Sequence, residues 1–560
     1  MLQKTFPRES SQLALWRYNA VTLAAVFAVA PLVLQGQTPP SHHDASSQNE
    51  KVGRVSFQVS CAQGVRSDFD RAVALLHHMM YVESRGAFEE IAAKDPQCAM
   101  AHWGIAMTLF QPLWPARPGR EQLQRAWEEV ETAKRLSPDT DRDRALLAAA
   151  EAFYREPDSA EWWTRIRRWA DAMQVAYRQH PEDAETAAFF ALSQLAVAPV
   201  SEDRMTVHGT AANVLLRLHE KQPTHPGAIH YIIHANDVSG RAAQSLDIVR
   251  SYDEIAPSVP HALHMPTHIF VRLGDWPAVM EWNRKAADAA LRFPAGDRIS
   301  LHYVHAMDYL LYAHLQRGED ARAQSVLEEA TQRAEHQEDF VSAFHLAAMP
   351  ARYAVERRAW KEAAAVEPRA PAYLAWDRYG WAESISWLAR GLGAARTGDL
   401  AGAWEAEARM RQLRDRAEQA KERDFARYIE VDRLVLEGFL SKAQGNNGDA
   451  VTRMRAAAVL EQNVQKHPVS PGAVLPPYEA LGDLLAELGR HQEARVAYDS
   501  SLSAWPLRYH SLLGAARAAR AVGEVGMARE YYARLLGVVG DAETTRPGVS
   551  EARDFLSRNR

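Results

Sequence analysis

The sequence of 560 residues contains only two cysteines, which excludes a disulfide-rich scaffold and any metal site built from cysteine alone. It lacks an excess of positive charge, because 65 basic residues face 71 acidic ones, and this argues against a nucleic-acid partner. It has one long apolar run, too few for a polytopic membrane protein. It shows no alternating strand pattern and no phosphate-loop, nucleophile-elbow, kinase or HExxH motif.

What the chain does contain is an average soluble composition with many histidines. It is 47% hydrophobic and 24% charged, which excludes a mostly disordered chain. Its length allows three or four domains or one long repeat array. The 22 histidines are the residue count that stands out.

The N-terminus has the pattern of an export signal. Lys4, Arg8 and Arg17 precede an apolar run over residues 20–34. The small-residue cleavage pattern is imperfect, so we assign residues 1–36 to a signal peptide or an N-terminal anchor and the polar residues 37–50 to a flexible linker. We therefore predict an exported, periplasmic or extracytoplasmic protein that contacts the membrane only through this anchor.

Residues 475–506 (LPPYEALGDLLAELGRHQEARVAYDSSLSAWP) are the clearest of several helix–turn–helix units. The unit resembles the tetratricopeptide repeat, in which a large residue, Leu-Gly, Ala, an aromatic residue and Pro recur over about 34 residues. The matching residues are Tyr478, Leu481, Gly482, Ala494, Tyr498 and Pro506. Gly482 and Ala494 would lie where two antiparallel helices touch.

Further units are anchored by glycines, which are Gly240, Gly274, Gly318, Gly398 and Gly523. The resemblance implies an all-α fold, a right-handed superhelical solenoid of helix–turn–helix repeats with a concave inner wall. The predicted regions are irregular N-terminal repeats (51–200), histidine-bearing central repeats (201–370), C-terminal repeats (371–545) and a C-terminal tail (546–560).

The central repeats place histidines on the concave wall. The tetratricopeptide family presents positions 2, 5 and 9 of each first helix to the groove. Applied to this sequence, those positions hold His230, His234, His261, His264, His268, His305, Asp308 and Tyr312, with His345 in a further unit. His230 precedes His264 by 34 residues, as His234 precedes His268, so two consecutive helices present the same pair at the same height.

These pairs have the spacing that metal ligation needs. Histidines four apart on a helix have Cβ atoms about 6 Å apart, and packed helices lie about 8–10 Å apart. Two pairs can therefore converge on one ion or on two neighbouring ions, with imidazole nitrogens within about 4–8 Å of a common point. A histidine-rich set with one carboxylate suits copper, zinc or iron better than magnesium or calcium.

We predict four central ligands, two ligands at the edge and one carboxylate that either ligates or fixes a tautomer. In that order they are His230, His234, His264 and His268, then His261 and His305, then Asp308. The predicted supporting residues are Tyr312, His345, His302 and His225. The motifs HPGAIHYIIHAND (225–237), PHALHMPTHIFVRLGDW (260–276) and LHYVHAMDYLLYAHL (301–315) also resemble uncharacterised exported bacterial tetratricopeptide proteins, which supports the fold and not a reaction.

Two functions from different classes follow from this pattern. The first is a transition-metal protein, extending to a metal-dependent oxidoreductase if the site keeps a vacant coordination position. The second is an extracytoplasmic scaffold that binds a peptide, a protein or a small-molecule ligand in the groove without metal. A pH-sensing or purely structural histidine cluster is the remaining interpretation.

The two cysteines form the last candidate pair. Cys61 lies just before the first repeat helix, and Cys98 lies at the turn that opens the second repeat. In an oxidising compartment a disulfide is the default for such a pair, and the starts of consecutive first helices stack side by side in the family. The alternative is two buried thiols that pack as small apolar groups.

Overall fold

The structure is a computed structural model that describes residues 51–114 and 117–559. The predicted signal or anchor (1–36) and linker (37–50) lie outside the described residues. Within the described ranges the chain forms 27 α-helices, and β pairing is limited to two isolated bridges. Among these helices none has the length and apolar content needed to cross a membrane.

The helices of the N-terminal region are α1 (Arg66–His77), α2 (Tyr81–Lys94), α3 (Ala99–Thr108), α4 (Arg120–Leu136), α5 (Asp141–Tyr154), α6 (Trp162–Gln179), α7 (Ala184–Val197) and α8 (Arg204–Lys221). Those of the central region are α9 (Pro226–Asn236), α10 (Leu246–Val249), α11 (Tyr252–Ile255), α12 (Pro260–His264), α13 (Pro266–Leu273), α14 (Trp276–Ala290), α15 (Leu301–Gln316), α16 (Asp320–Thr331), α17 (Phe340–Glu356) and α18 (Trp360–Ala364). The C-terminal helices are α19 (Gly380–Thr397), α20 (Leu400–Gln419), α21 (Arg423–Ala443), α22 (Asn447–Gln462), α23 (Pro477–Glu487), α24 (His491–Ala504), α25 (Tyr509–Ala521), α26 (Val525–Val539) and α27 (Pro547–Arg558).

Consecutive helices pack against each other along the chain, which confirms the predicted all-α solenoid of helix–turn–helix repeats. The turns fall at the glycines that anchored the predicted units. Gly274, Gly318, Gly398, Gly489 and Gly523 have φ angles between 71° and 90°. This left-handed conformation ends a helix at little cost only for glycine, so the glycine spacing sets the repeat phase.

Gly482 provides the close helix contact that the repeat pattern predicts. A Cβ atom at this position would lie 2.6 Å from the ring of Tyr498, which is on the paired helix α24. Ala494 on the same helix is fully buried. The small residues therefore allow the two helices of this repeat to approach each other.

The C-terminal helices return to the central ones, so the solenoid closes on itself. The loop after α24 carries Arg508, whose guanidinium donates to the Tyr312 hydroxyl at 2.8 Å and pairs with Glu356 at 2.5 Å. The indole of Trp276 donates to the Leu507 carbonyl at 3.0 Å. These contacts join residues of α14, α15 and α17 to the far end of the chain.

The loop between α22 and α23, residues 463–476, lies across the inner wall of the central repeats, and we call it the covering segment. Tyr309 of α15 donates its hydroxyl proton to the Pro468 carbonyl at 2.7 Å. Arg352 of α17 donates to the Gly472 carbonyl at 3.1 Å. The wall that carries the predicted ligands is therefore covered by the chain itself.

The described residues belong to one compact unit. Residues 546–560, assigned from the sequence to a C-terminal tail, contain helix α27. Its residues Val549 and Ala552 are buried in the core, and Arg546 pairs with Asp320 at 2.6 Å. This helix extends the repeat stack because an apolar face at helical spacing packs on α26.

We expect a methyl group to have opposite effects at two helical glycines. The variant Gly482→Ala should lower stability by about 1–3 kcal/mol, because the added Cβ overlaps the Tyr498 ring. The matched control Gly537→Ala, where no atom lies within 4 Å of the new Cβ, should be neutral or raise it by up to about 1 kcal/mol. Thermal unfolding of both variants checks this, and an unchanged midpoint for Gly482→Ala would contradict the packing described here.

Candidate metal centre

Four helices bring six histidines to one enclosed region of the inner wall. The carriers are α9 with His230 and His234, α12 with His261 and His264, α13 with His268, and α15 with His305. All six side chains are buried, with relative exposures from 0% to 9%. The covering segment and the returning C-terminal repeats enclose the wall at these residues.

Local sequence explains how the ligand helices are presented. Pro226 opens α9 at a position where no backbone donor is needed, and the Nδ1 atom of His225 accepts from the Ala228 amide to cap it. Met265 between α12 and α13 keeps helical angles, with φ −54° and ψ −42°. His264 and His268 therefore stay on one face across the break at Pro266.

The six histidines divide into two sets of three, each with ligand atoms within 4.8 Å of one another. Set A contains His230, His234 and His261. Set B contains His264, His268 and His305. The sets adjoin, since the rings of His234 and His268 have centroids 5.9 Å apart and those of His261 and His264 6.0 Å apart. The two residues expected at the edge, His261 and His305, complete the sets.

The tautomers of set B leave bare nitrogens facing each other. The Asn283 amide donates to the Val279 carbonyl, so its oxygen accepts the Nδ1 proton of His264 at 2.7 Å. The Asp237 carboxylate accepts the Nδ1 proton of His268 at 3.0 Å. Both Nε2 atoms are then without protons, yet they lie 3.0 Å apart. Two lone pairs at that distance repel each other unless a cation lies with them.

A proton shared between the two Nε2 atoms would remove this repulsion, but one imidazole would then carry a positive charge. Burial lowers the pKa of His264 well below its ordinary value, and the charge of His268 lowers it further. Burial likewise lowers the pKa of His268 despite its bond to Asp237. The site therefore favours neutral imidazoles, the form that ligates metal ions.

The orientation of His305 is fixed by a chain of two further groups. The Asp308 carboxylate pairs with Arg352 at 3.1 Å and accepts the Nδ1 proton of His345 at 2.9 Å. The bare Nε2 of His345 then accepts the Nδ1 proton of His305 at 2.7 Å. This carboxylate–histidine–histidine chain leaves the Nε2 atom of His305 without a proton. Asp308 and His345 thus orient a ligand rather than join set A or set B.

Set A contains several buried nitrogens that lack any hydrogen-bond partner. His230 donates its Nδ1 proton to the His77 carbonyl at 2.5 Å, which leaves its Nε2 bare. That Nε2 atom, the Nε2 of His234 and both nitrogens of His261 are buried without a partner. Buried polar atoms are rarely left unpaired, and these four atoms lie in a cluster that could hold a metal ion. Burial lowers the pKa of His234 to about 3, so these rings are also neutral.

Two buried carboxylates supply negative charge beside the neutral imidazoles. Asp237 pairs with Arg272 at 2.8 Å and with Lys466 of the covering segment at 3.1 Å. Burial opposes ionisation of Asp237, but these cations hold its pKa well below the ordinary value. The second carboxylate, Asp308, is paired with Arg352. Because each carboxylate has a cationic partner, the centre contains no unpaired negative charge.

Aromatic side chains close the centre. The Tyr309 ring lies 4.6 Å from the His264 ring and 5.3 Å from the His305 ring. Trp114 lies 5.2 Å from His261 and 6.1 Å from His302. A small cavity of about 40 Å³ is lined in part by Trp114 and His302, the residues that border His261.

The remaining predicted residues have different roles. His302 lies 5.1 Å from His261 between ring centroids, with a buried Nδ1 atom that has no partner, so it borders set A. His225 caps α9 as predicted and also contacts Glu185 at 3.0 Å. Tyr312 contacts Arg508 and packs on Trp276 instead of supporting a histidine.

A third group of possible ligands, His77, Glu185 and His225, is already saturated. The two histidines contact the Glu185 carboxylate at 2.7 and 3.0 Å. The second nitrogen of His77 accepts from the Tyr231 hydroxyl at 3.0 Å. With every nitrogen bonded, this group is a buried ion network that holds α1 against α7 and α9.

Cys61 and Cys98 form a disulfide with Cα atoms 4.8 Å apart. The bond lies at the N-terminal end of the described chain and joins the segment before α1 to the start of α3. Both cysteines are far in sequence from the central repeats that carry the histidines.

Sequence reasoning missed four residues of the centre, which are Trp114, Asp237, Asn283 and Tyr309. Asp237 lies three residues after His234 in the sequence HAND, so its position near the histidines could have been predicted. Asn283 is far along α14, and only the packing of α14 on α12 brings it to His264.

No protein-family model and no curated protein matches this chain. One solved chain, from the crystal structure of the APC/C hetero-tetramer Cut9-Hcn1, is similar over 88% of this chain and 89% of that chain. The identity is 13% and the TM-score is 0.29. A similarity this low adds nothing to the architecture described above.

We expect the Asn283 acceptor to control metal affinity. The variant Asn283→Leu removes the group that fixes the His264 tautomer and should weaken metal binding by about 10–100-fold. The control is Asn463→Leu, since Asn463 makes the same amide contact to a carbonyl four residues earlier but lies at the surface. Competition with a zinc chelator measures both. Equal affinities for wild type and Asn283→Leu would contradict the tautomer assignment.

Proposed function

We propose that this chain is an extracytoplasmic transition-metal protein in which set A and set B each bind one ion. The observation that carries the proposal is the pair of bare Nε2 atoms of His264 and His268, 3.0 Å apart. The unpartnered nitrogens of His230, His234 and His261 support the second ion. All six donors are imidazoles, which favours copper, zinc or iron over magnesium or calcium.

The number of histidines in each set decides how many coordination positions of a bound ion would stay open. Three imidazoles leave a fourth position open on a tetrahedral ion, the arrangement of catalytic rather than structural zinc sites. Two such ions side by side in an enclosed site suit a metal-dependent oxidoreductase, if the metal is copper or iron. The chain's own residues then hold the imidazoles neutral, fix their tautomers and exclude bulk water.

Binding of a partner molecule at the groove histidines agrees less well with the geometry than metal binding does. The covering segment already occupies that wall through bonds from Tyr309 and Arg352. A repeat scaffold offers other surfaces for a protein, peptide or small-molecule partner, and binding there stays a prediction.

Metal content tests the proposal directly. Protein loaded with Cu(II) or Zn(II) and then desalted should retain about two ions per chain by elemental analysis, as two three-histidine sets require. His264→Ala combined with His268→Ala should retain about one, as should His230→Ala combined with His234→Ala, because each pair belongs to a different set.

The matched control is His491→Ala, at the partly exposed start of α24 and outside both sets. It should keep the wild-type metal content. Less than about 0.2 equivalents of any transition metal in loaded wild-type protein would refute the metal proposal. Oxygen consumption by copper-loaded protein that is supplied with a phenolic electron donor, absent in both double variants, is the result expected of an oxidoreductase.

Export is supported by the basic and apolar N-terminal pattern together with the approach of the two cysteines. Thiol titration of denatured, unreduced protein from its native compartment should find no free thiol among Cys61 and Cys98. The Cys61→Ser plus Cys98→Ser variant should unfold at lower temperature, since the bond closes a loop worth roughly 3–4 kcal/mol in the chain-entropy treatment. Two free thiols per chain would contradict export.

A further inference from the structure

A second cavity, of about 100 Å³ and lined in part by half-buried residues, lies beside the covering segment. Its walls come from α17, α19, α21, α22 and the covering segment. The wall residues Lys466 and Arg352 bond to Asp237 and Asp308, so the cavity adjoins the outer layer of the metal centre without containing a histidine of set A or set B.

Aromatic rings form much of the cavity wall. Trp381 stacks on Tyr428 with centroids 4.6 Å apart and an angle of 23°, and Phe344 lies 4.8 Å from Trp381. Trp505 closes another side and donates its indole proton to Glu461 at 3.3 Å. The faces of such rings carry partial negative charge, which attracts cations.

Two carboxyl groups line the same space, Asp432 from α21 and Glu461 from α22. Among the described residues, Asp432 has no hydrogen-bond or ion-pair partner, and Glu461 has the Trp505 indole alone. The basic wall residues are engaged elsewhere, Lys466 with Asp237 and the Ser470 carbonyl, and Arg352 with Asp308 and the Gly472 carbonyl. The two acids of the wall are therefore not paired with its two basic residues.

Burial makes ionisation of these acids costly. It raises the pKa of Asp432 to about 7. Burial raises the pKa of Glu461 to about 8, with a further contribution from the charge of Asp432. A bound cation would relieve this cost by pairing with both carboxylates, whereas an anion would add to it.

We propose that this cavity binds a small primary alkylammonium ion, with its N–H groups bonded to Asp432 and Glu461 and its alkyl part against Trp381 and Tyr428. A primary ammonium group has three donors, which match acids that lack donors. The volume suits a ligand of a few non-hydrogen atoms, because a cavity of about 150 Å³ holds benzene. The site does not depend on bound metal, so it stands apart from the metal proposal.

The approach to the cavity involves Trp381. This residue also lines a surface cleft of about 960 Å³ between the N-terminal repeats and the helices around α19. The cleft and the cavity thus share Trp381 as a wall residue. The free end of a longer amine would extend into that cleft.

The test is calorimetry and thermal unfolding of chelator-treated full-length protein with n-propylammonium, 1-propanol and tetramethylammonium. We expect saturable binding and a higher midpoint with n-propylammonium alone, because 1-propanol lacks the charge and tetramethylammonium lacks N–H donors. Equal effects of n-propylammonium and 1-propanol would overturn the proposal, as would absence of binding at pH 9 or equal binding of tetramethylammonium.

Substitution of the two acids tests whether n-propylammonium binds in this cavity. Asp432→Asn and Glu461→Gln should each weaken n-propylammonium binding at least tenfold, and the surface control Glu405→Gln should leave it unchanged. If both cavity variants bind as wild type does, the cavity assignment is wrong. Should one variant fail to fold, the other variant and the three-ligand comparison on wild type still decide the question.

Affinity should also rise at least tenfold from pH 6 to pH 9, because the carboxyl groups must ionise while n-propylammonium stays charged. The other groups facing the cavity act in the same direction or not at all. Burial lowers the pKa of Lys466 to about 8, so it loses competing charge over this range. Burial lowers the pKa of His467 to about 3 and raises that of Tyr428 above the range tested, while Arg352 keeps its pairing with Asp308. A flat profile would contradict pairing with these acids.

Discussion

Asp237 lies where three distant parts of the chain meet, and the centre depends on the contacts it makes there. Its carboxylate accepts from His268 of α13, pairs with Arg272 and binds Lys466 of the covering segment, 229 residues away. A buried carboxylate is tolerated only with such partners, so the cations that keep it charged also fix the covering segment in place. The same carboxylate sets the His268 tautomer, which links enclosure of the site to its ligand chemistry.

Burial of the centre favours the neutral form of its imidazoles. Because the covering segment and Tyr309 keep bulk water from set B, protonated imidazoles are disfavoured, and burial lowers the pKa of His264 and His305 well below the ordinary value. An open groove would leave the same histidines protonated in mild acid and mutually repelling. A superhelix that closes on itself therefore gives a repeat scaffold the kind of interior that metal ligation needs.

The sequence predicted the fold and the clustering of the central histidines, and particular residues show why. The glycine spacing fixed the repeat phase, since each left-handed turn must recur at the same place in a helix pair. The spacing of four between His264 and His268 put both on one face, and the interval of 34 residues placed the α9 pair beside them. The division into set A and set B was not predicted, because it depends on how far α15 lies from α12. For the same reason the sequence did not reveal Asn283, and it left open whether Asp308 ligates an ion or fixes a tautomer.

By itself the sequence determined which side chains share a helix face, because helical periodicity is local and every residue within a turn is about 1.5 Å from the next along the axis. Which side of each helix faces the concave wall was predicted from the resemblance to tetratricopeptide repeats. Only the tertiary structure decided that this side is buried. Arg508 reaching Tyr312 across 196 residues and Tyr309 reaching Pro468 across 159 are contacts of the closed superhelix. Small changes in the angle between successive repeats accumulate over such separations, and no local pattern specifies their sum.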